Sequence, residues 1–465
     1  LGFGATNCAV LSFTGQQYLQ IIHNLIRMKK VLFSFLMTLS LVANCQSWLP
    51  FTSMVFFNNI QSELYCQKIE NVNSTTIVTL SKEIGSKYYL EGVSCNGVTS
   101  HRIPIAIDSI YDITVLNDTI YFSGWHANTG IIGRLNINSL FNNIGFYEIM
   151  PIGVYKIHKL KSYLSFGHTH IVGIGRANVD LFDRRFFDFS NKYNSNFALA
   201  SVVINNNLRL LDIDLTDKFI AISGNMTTSS NTKMVVCSSN KIDPMNISLY
   251  EYDNAINVAN LFTNPYDERM LITHTQQNQI VVSVSAFNNS NDPVVLTNCI
   301  DLQSPMTINN VREIRHDKKN IVLRDAVFNK QANTLLIVED CALNSTPINR
   351  SYIIHNKPYS IGNQIEDCWY DKQNNTRFNT ICNLQIGKYI ALGVGTEDVV
   401  SNIYFMKTLT TNTPCCASKF QYTSYNLQQI YGTSIPNICS PTLSYSNWNQ
   451  VTLLANDGIF IQCNY

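Results

Sequence analysis

The sequence predicts an all-β fold, a β-propeller of about seven four-stranded blades closed by its N- and C-terminal strands. Three observations lead there. Short β-branched and aromatic runs alternate with Asn/Asp/Gly turns along the chain after residue 46. One hairpin pattern returns at intervals of roughly 45 to 70 residues, where a four-stranded blade needs about 40–50. No long apolar stripe of period 3.6 occurs in that stretch, so a helical domain is not expected.

The clearest unit is Ile110–Val115, a turn at Asn117-Asp118-Thr119, Ile120–Gly124, a loop with Asn128-Thr129-Gly130, then Ile131–Ile137. It reads as strand, turn, strand, loop, strand. The same grammar returns at Leu211–Leu215 and Phe219–Gly224, where Asp212 matches Asp112 and Gly224 matches Gly124. A weaker copy runs from Val154 to Gly175. Further copies follow at Met270–Val284, Arg324–Val338, Ile381–Gly393 and Val451–Ile461. These seven hairpins leave the last without outer strands. Met54–Phe57, Glu63–Cys66 and Thr76–Leu80 are expected to supply them and so remove the open edges. Six or eight blades, or a β-solenoid, are the alternatives.

Composition fits one large globular domain, assigned to residues 46–465. Hydrophobic residues make up 45% and aromatics 11%, ample for a sizeable core. With 33 Lys+Arg against 32 Asp+Glu, the chain lacks the basic footprint of a nucleic-acid binder. Met28-Lys29-Lys30, the apolar run Val31–Val42 and the exit Ala43-Asn44-Cys45 form a secretory signal peptide over residues 28–45. The apolar run is shorter than the ~20 residues of a membrane span. Residues 1–27 are expected to be upstream read-through without structure. Two processing routes fit the exit: cleavage before Gln46, or lipid attachment at Cys45, the one route by which the protein would meet a membrane. Either places it outside the cytoplasm, secreted or at the cell envelope. Eleven of the 13 cysteines follow Cys45, an odd number that leaves any disulfide pairing open.

The blade Ile110–Ile137, with its Asp-Ile, Asn-Asp-Thr-Ile-Tyr-Phe and Gly-Ile-Ile-Gly elements, resembles uncharacterised secreted propeller proteins of Bacteroides-type bacteria. The resemblance covers one blade well and the others by rhythm. It implies the fold and an envelope location, and it brings no catalytic residues.

Candidate chemistry is sparse. His168 and His170 fall two apart on a strand, hence on one face, and His126, His158 or His274 at a shared mouth would complete a divalent-metal site. A polar strand edge explains the same pair more simply. No other cofactor is expected. Asp112, Asp212 and Asp325 recur at matched positions, as a backbone-bonding device within each blade would, although paired carboxylates also serve glycoside hydrolysis. Neither a Gly-x-Ser-x-Gly elbow nor a phosphate-binding loop is present. Trp125, His126, Trp369 and Tyr370, together with Trp448, stand next to strand ends, where exposed aromatics stack on sugars or anchor partners. Packing between blades is the plainer role for them. The sequence therefore points to a non-enzymatic binding propeller for a glycan or a protein. A polysaccharide lyase or glycoside hydrolase, with its site at His168/His170 or the central Asp residues, is the rival.

Overall fold

The computed structural model describes residues 54–464 apart from 58–63, 74–75, 84–86, 95–98, 143–145, 179, 181–182, 193–196, 205–207, 228–231, 253–269, 275–277, 288–292, 306, 316–319, 330–332, 342–350, 357–363, 372–377, 385–388, 395–400, 408–416, 427–429, 436–440, 446–447 and 453–462. The signal-peptide reading, residues 1–27 and Cys45 lie outside the described residues. Thr52–Tyr465 forms one compact unit.

Strand β1 (Met54–Phe57) precedes a meander of β2 (Leu64–Asn71), β3 (Thr76–Glu83), β4 (Tyr88–Ser94) and β5 (Thr99–Ile105). The next comprises β6 (Ser109–Leu116), β7 (Thr119–His126), β8 (Thr129–Asn136) and β9 (Phe146–Gly153), with a short helix α1 (Ile137–Asn142) before β9. Then come β10 (Tyr155–Ser165), β11 (His168–Ala177), β12 (Arg184–Ser190) and β13 (Ala198–Val203). They are followed by β14 (Leu208–Leu215), β15 (Phe219–Thr227), β16 (Thr232–Asn240) and β17 (Asp243–Tyr252). The pattern continues through β18 (Met270–His274), β19 (Gln279–Phe287), β20 (Pro293–Asp301) and β21 (Thr307–Arg315). Next are β22 (Asn320–Asn329), β23 (Asn333–Cys341), β24 (Ser351–Asn356) and β25 (Gln364–Asp371), then β26 (Phe378–Leu384), β27 (Tyr389–Val394) and β28 (Ser401–Lys407). The remaining strands are β29 (Ala417–Asn426), β30 (Ile430–Ile435), β31 (Thr442–Tyr445), β32 (Asn449–Thr452) and β33 (Cys463–Asn464).

The arrangement is an all-β propeller. Among the described residues its hydrogen-bonded sheets number five, not the seven blades expected from the hairpin rhythm: β2–β5; β6–β9 with β32; β10–β13 with β31; β26–β28 with β1 and β33; and one of 14 strands. The reason is local. Strand β30 pairs with both β17 and β21, and β29 with both β21 and β25, which joins β14–β25 into that one sheet. The innermost strands β2, β6, β10, β14, β18, β22 and β26 touch one another in that order, and β26 returns to β2. Strand β1 is held between β28 and β33, so strands from the two ends of the described chain pair directly.

Two sequence expectations are corrected here. The stretches containing Glu63–Cys66 and Thr76–Leu80 do not serve a final hairpin; β2 and β3 pair with each other and open a meander of their own. Of the hairpin expected at Val451–Ile461, Val451 and Thr452 sit on β32, an edge strand against β9, and the rest lies outside the described residues.

The meanders β6–β9, β10–β13 and β14–β17 are buried on both faces. Val78, Leu80 and Leu90 pack with Ile113, Ile120 and Phe122 of the following meander. Ile132 and Met150 pack with Ile171 and Phe187, Ile174 and Phe186 with Ile213 and Ile222, and Val236 with Val282 and Val284. This is why the strands read as near-continuous apolar runs in sequence.

A bulge marks six of the seven inner strands, with β18 regular over its described residues. The register slips between Cys66 and Lys68, Ile110 and Asp112, Ile157 and Lys159, Leu210 and Asp212, Leu323 and Asp325, and Phe378 and Thr380. The recurrent glycine follows from it. A Cβ at Gly124 would meet the Ser109 carbonyl oxygen at 2.5 Å, and one at Gly224 the Arg209 oxygen at 2.3 Å. The matched Asp and Gly of the repeat are thus two sides of one bulged pair.

Candidate functional site

Residues just past the bulges converge on the axis. Lys68, Glu70, Asp112, Lys159, Lys161, Asp212, Asp214 and Asp325 help line a cavity of about 190 Å³. Their charges are mutually engaged. Lys68 lies 3.6 Å from Glu70, Lys159 lies 3.6 Å from Asp212, and Lys161 reaches Asp214 at 3.6 Å and Glu70 at 3.9 Å. Burial pulls the Lys68 ammonium down, but Asp112, Glu70, Asp325 and Asp212 outweigh it and hold its pKa well above the usual lysine value. Glu70 and Asp214 do the same for Lys161. Asp112 Oδ2 accepts the Leu160 N–H at 2.8 Å, and Asp325 Oδ2 accepts the Ile381 N–H at 2.9 Å. Asp112 and Asp325 therefore bond the inner strand of the next meander, whereas Asp212 meets Lys159 on the inner strand of the preceding one. The sequence reading placed that bond within each blade, because an intrasequence repeat carries no information about its neighbour.

His170 is buried (1% exposed), with Asp188 and Ser190 at 0% beside it. Its Nδ1 meets both Asp188 carboxylate oxygens at 3.0 Å, and Ser190 Oγ lies 3.5 Å from Nε2. Ser190 Oγ also accepts the Lys192 N–H at 3.0 Å, and the imidazole stacks on Tyr163 at 4.9 Å. Both ring nitrogens thus face protein partners in a closed chain of polar contacts that pins β11 to β12. His168 pairs with Ser165 at the other side of the turn. His158, near the opposite end of β10, is separated from the His168/His170 pair by roughly 15 Å of strand. The side chain of His274 lies outside the described residues. Among the described residues no group of three His, Cys, Asp or Glu is placed to hold a metal.

A second cavity, of about 250 Å³, opens at the other ends of these strands. It is lined by Tyr111 from β6, Lys156 and His158 from β10, Gly175 and Arg176 from β11, Arg184 from β12, and Arg209, Leu210 and Leu211 from β14. The bulges build it. Tyr111, His158 and Leu211 are the extra residues of their strands, turned away from the axis. His158 Nε2 lies 3.2 Å from the Leu210 carbonyl, so Nε2–H donates to that oxygen in the neutral ring. Burial pulls the His158 pKa down to about 4, with Lys159 and Arg176 adding to the effect and the Leu210 contact opposing it. Burial likewise pushes the Tyr111 phenol up to about 12.

Trp125 stands beside this cavity: the Lys156 ammonium lies 4.8 Å from its ring centroid. His126 is adjacent but turns to Asp108, its Nδ1 3.6 Å from the carboxylate. Trp448 packs, with Arg134 4.2 Å over its ring and Phe197 edge-on at 6.0 Å. Trp369 and Tyr370 fall on β25, paired with Lys419 and Ser418 of β29; their side chains lie outside the described residues. Cys66, Cys237, Cys299 and Cys382 are buried. The sequence reading missed Lys156, Arg176, Arg184 and Arg209. The signal was available in part: the two-residue turn at Phe166-Gly167 fixes the β10/β11 register. Only the bulge at His158, invisible in sequence, brings Lys156 opposite Arg176.

Compared with known proteins, the chain matches no family model and shows no significant similarity to a curated protein.

Proposed function

We propose that this chain is a non-enzymatic binding propeller of seven four-stranded blades, exported to the cell envelope or beyond, that holds a glycan in the cavity beside Trp125. What supports a count of seven is the cycle of inner strands, which runs β2, β6, β10, β14, β18, β22, β26 and back to β2; on that reading the 14-stranded sheet is three blades joined at their rims. Export rests on the basic start and apolar run of residues 28–45.

The observation that carries the binding reading is the position of the cavity. It sits where the inner strands β6, β10 and β14 begin, at the junction of three meanders, and one of its lining residues, Lys156, packs on the Trp125 indole. Ligand pockets favour such junctions, with a few placed polar groups among fixed walls. A rigid sheet scaffold with a variable loop face suits recognition.

The test is a glycan array probed with the chain and with Trp125→Ala. Binding of the native chain to a restricted set of glycans, reduced about tenfold or more by the substitution with an unchanged circular dichroism spectrum, supports the reading. No bound glycan, or binding indifferent to Trp125, refutes it. Turnover of a bound polysaccharide would instead establish the lyase or hydrolase alternative.

A further inference from the structure

We infer that the turn Phe166-Gly167, with Leu164 and Ile242 beside it, is a docking tip that sits in the headgroup region of a lipid bilayer. The residue at its apex is opposed by its surroundings twice over. Ser165 pairs with His168, which leaves Phe166 and Gly167 as a two-residue turn. Phe166 has φ +49°, a left-handed backbone that favours glycine or asparagine, and it is 80% exposed. The preceding meander shows the ordinary solution. There Leu116 pairs with Thr119, and Asn117 takes the matching place at φ +52°. Neither folding nor solubility accounts for a phenylalanine at this position; contact with an apolar medium does.

The apolar character does not end with Phe166. Leu164 is 52% exposed, and Ile242, in the turn between β16 and β17, is 56% exposed. Side-chain bonds hold these turns together. The Tyr163 hydroxyl donates to the Lys241 carbonyl at 3.2 Å, and the Lys192 ammonium donates to the Ile242 carbonyl at 3.0 Å. The Lys241 ammonium lies 5.3 Å from the Tyr163 ring centroid. Asn240 Oδ1 accepts the Ile242 N–H at 3.0 Å. The tip is therefore fixed in advance, and docking need not order it.

The size of the tip selects its partner. Three side chains at these exposures present on the order of 350 Å² of apolar surface, well below the ~800 Å² per partner of a stable protein–protein interface. They stand at or beside hairpin turns, where a protein partner would need a matching socket and a bilayer needs none. Charge points the same way. Lys192, Lys218 and Lys241 stand against Asp217 and Asp243 in these turns and Asp118 in the neighbouring one. That balance suits zwitterionic headgroups and offers no field to draw in a charged partner. The lysine stems can lie along the apolar region with their ammonium groups in water. Such a contact reaches a membrane without Cys45. Lys156 and Arg176 lie at the far end of the β10/β11 pair, roughly 30 Å of strand away. The Trp125 cavity would then open away from the bilayer.

The experiment is flotation with phosphatidylcholine vesicles at millimolar lipid. It uses residues 46–465, which contain the whole compact unit Thr52–Tyr465 and lack the apolar run Val31–Val42. The native protein is expected to float with the vesicles. Phe166→Asn should lower the bound-to-free ratio about tenfold, and Leu164→Ser/Phe166→Asn/Ile242→Ser should abolish flotation. Because Phe166→Asn relieves the left-handed backbone, its thermal midpoint should rise, so unfolding cannot explain its loss of binding. Added salt, or phosphatidylglycerol in place of part of the lipid, should change the ratio less than about twofold. A native protein that stays unbound, or flotation indifferent to Phe166→Asn, overturns the inference. Flotation that needs anionic lipid and vanishes in salt also overturns it, since charge would then carry the contact. Self-association in sedimentation velocity that Phe166→Asn abolishes, without flotation, would give the tip to a second copy of the chain and overturn it as well.

Discussion

Replacing Asp112 by alanine should loosen the contact between two neighbouring meanders at a single point. Asp112 is 3% exposed, and its Oδ2 accepts the Leu160 N–H at 2.8 Å. A hydrogen bond to a charged group contributes about 1.5–3 kcal/mol, and a buried donor left without an acceptor costs about 1–3 kcal/mol. The two overlap, so the expected loss is about 2–4 kcal/mol. A second effect acts in the same direction, because Asp112 is the carboxylate that acts most strongly on Lys68. Asp112→Asn keeps an oxygen for the Leu160 N–H and loses only the charge, so its loss should be roughly half as large. Guanidinium denaturation of the native chain and both variants, followed by circular dichroism, separates the two terms. An alanine variant that loses less than about 1 kcal/mol would refute the inter-meander role of the aspartate.

Two further outcomes follow from groups in unusual surroundings. The His158 pKa is lowered from 6.5 to about 4, so the unfolded chain takes up a proton that the folded chain refuses. Stability is therefore full above pH 6.5 and falls as the pH drops from 6.5 towards 4, by about 2–3 kcal/mol after some screening by solvent. Urea midpoints across that window should fall more for the native chain than for His158→Gln; parallel slopes would count against the buried neutral ring. Phe166 occupies the first position of a hairpin turn with φ +49°, followed by Gly167 at +80°, and is 80% exposed. Asparagine tolerates that backbone far better than phenylalanine, so Phe166→Asn should stabilise by about 0.5–1 kcal/mol, read as a rise in the thermal midpoint. A fall would mean that the ring makes stabilising contacts.

Much of the scaffold was legible because its signals are local. The pairs β6/β7, β14/β15 and β10/β11 occur where alternating apolar runs met Asn/Asp/Gly turns, and the Asp112/Gly124 and Asp212/Gly224 match was a real structural equivalence. The meander β2–β5 was overlooked because Gln67-Lys68-Ile69-Glu70 is polar where other inner strands are apolar. Its lysine and glutamate face the axis, where charge is tolerated through pairing. The strands after residue 416 were misread for another reason. An edge strand of four residues, such as Thr442–Tyr445, takes its structure from the partner it joins and not from its own pattern. The candidate site was hidden more deeply. Its cations come from four strands spanning Lys156 to Arg209, and only three-dimensional register unites them.

The strands β29 to β33 visit the sheets in reverse order of synthesis: β29 joins β21 and β25, β30 joins β17, β31 joins β13, β32 joins β9, and β33 joins β1. They act as a girdle fastened last. Until residues 417–464 have emerged and been threaded round the rim, β9, β13 and β17 each present a bare outer edge to any neighbouring chain. A stalled or clipped polypeptide would lose this protection at several places together, not at one. The interval between making β9 and covering it spans some three hundred residues of translation. That delay should make the nascent molecule dependent on chaperones or on dilution, long after its first meanders have taken shape.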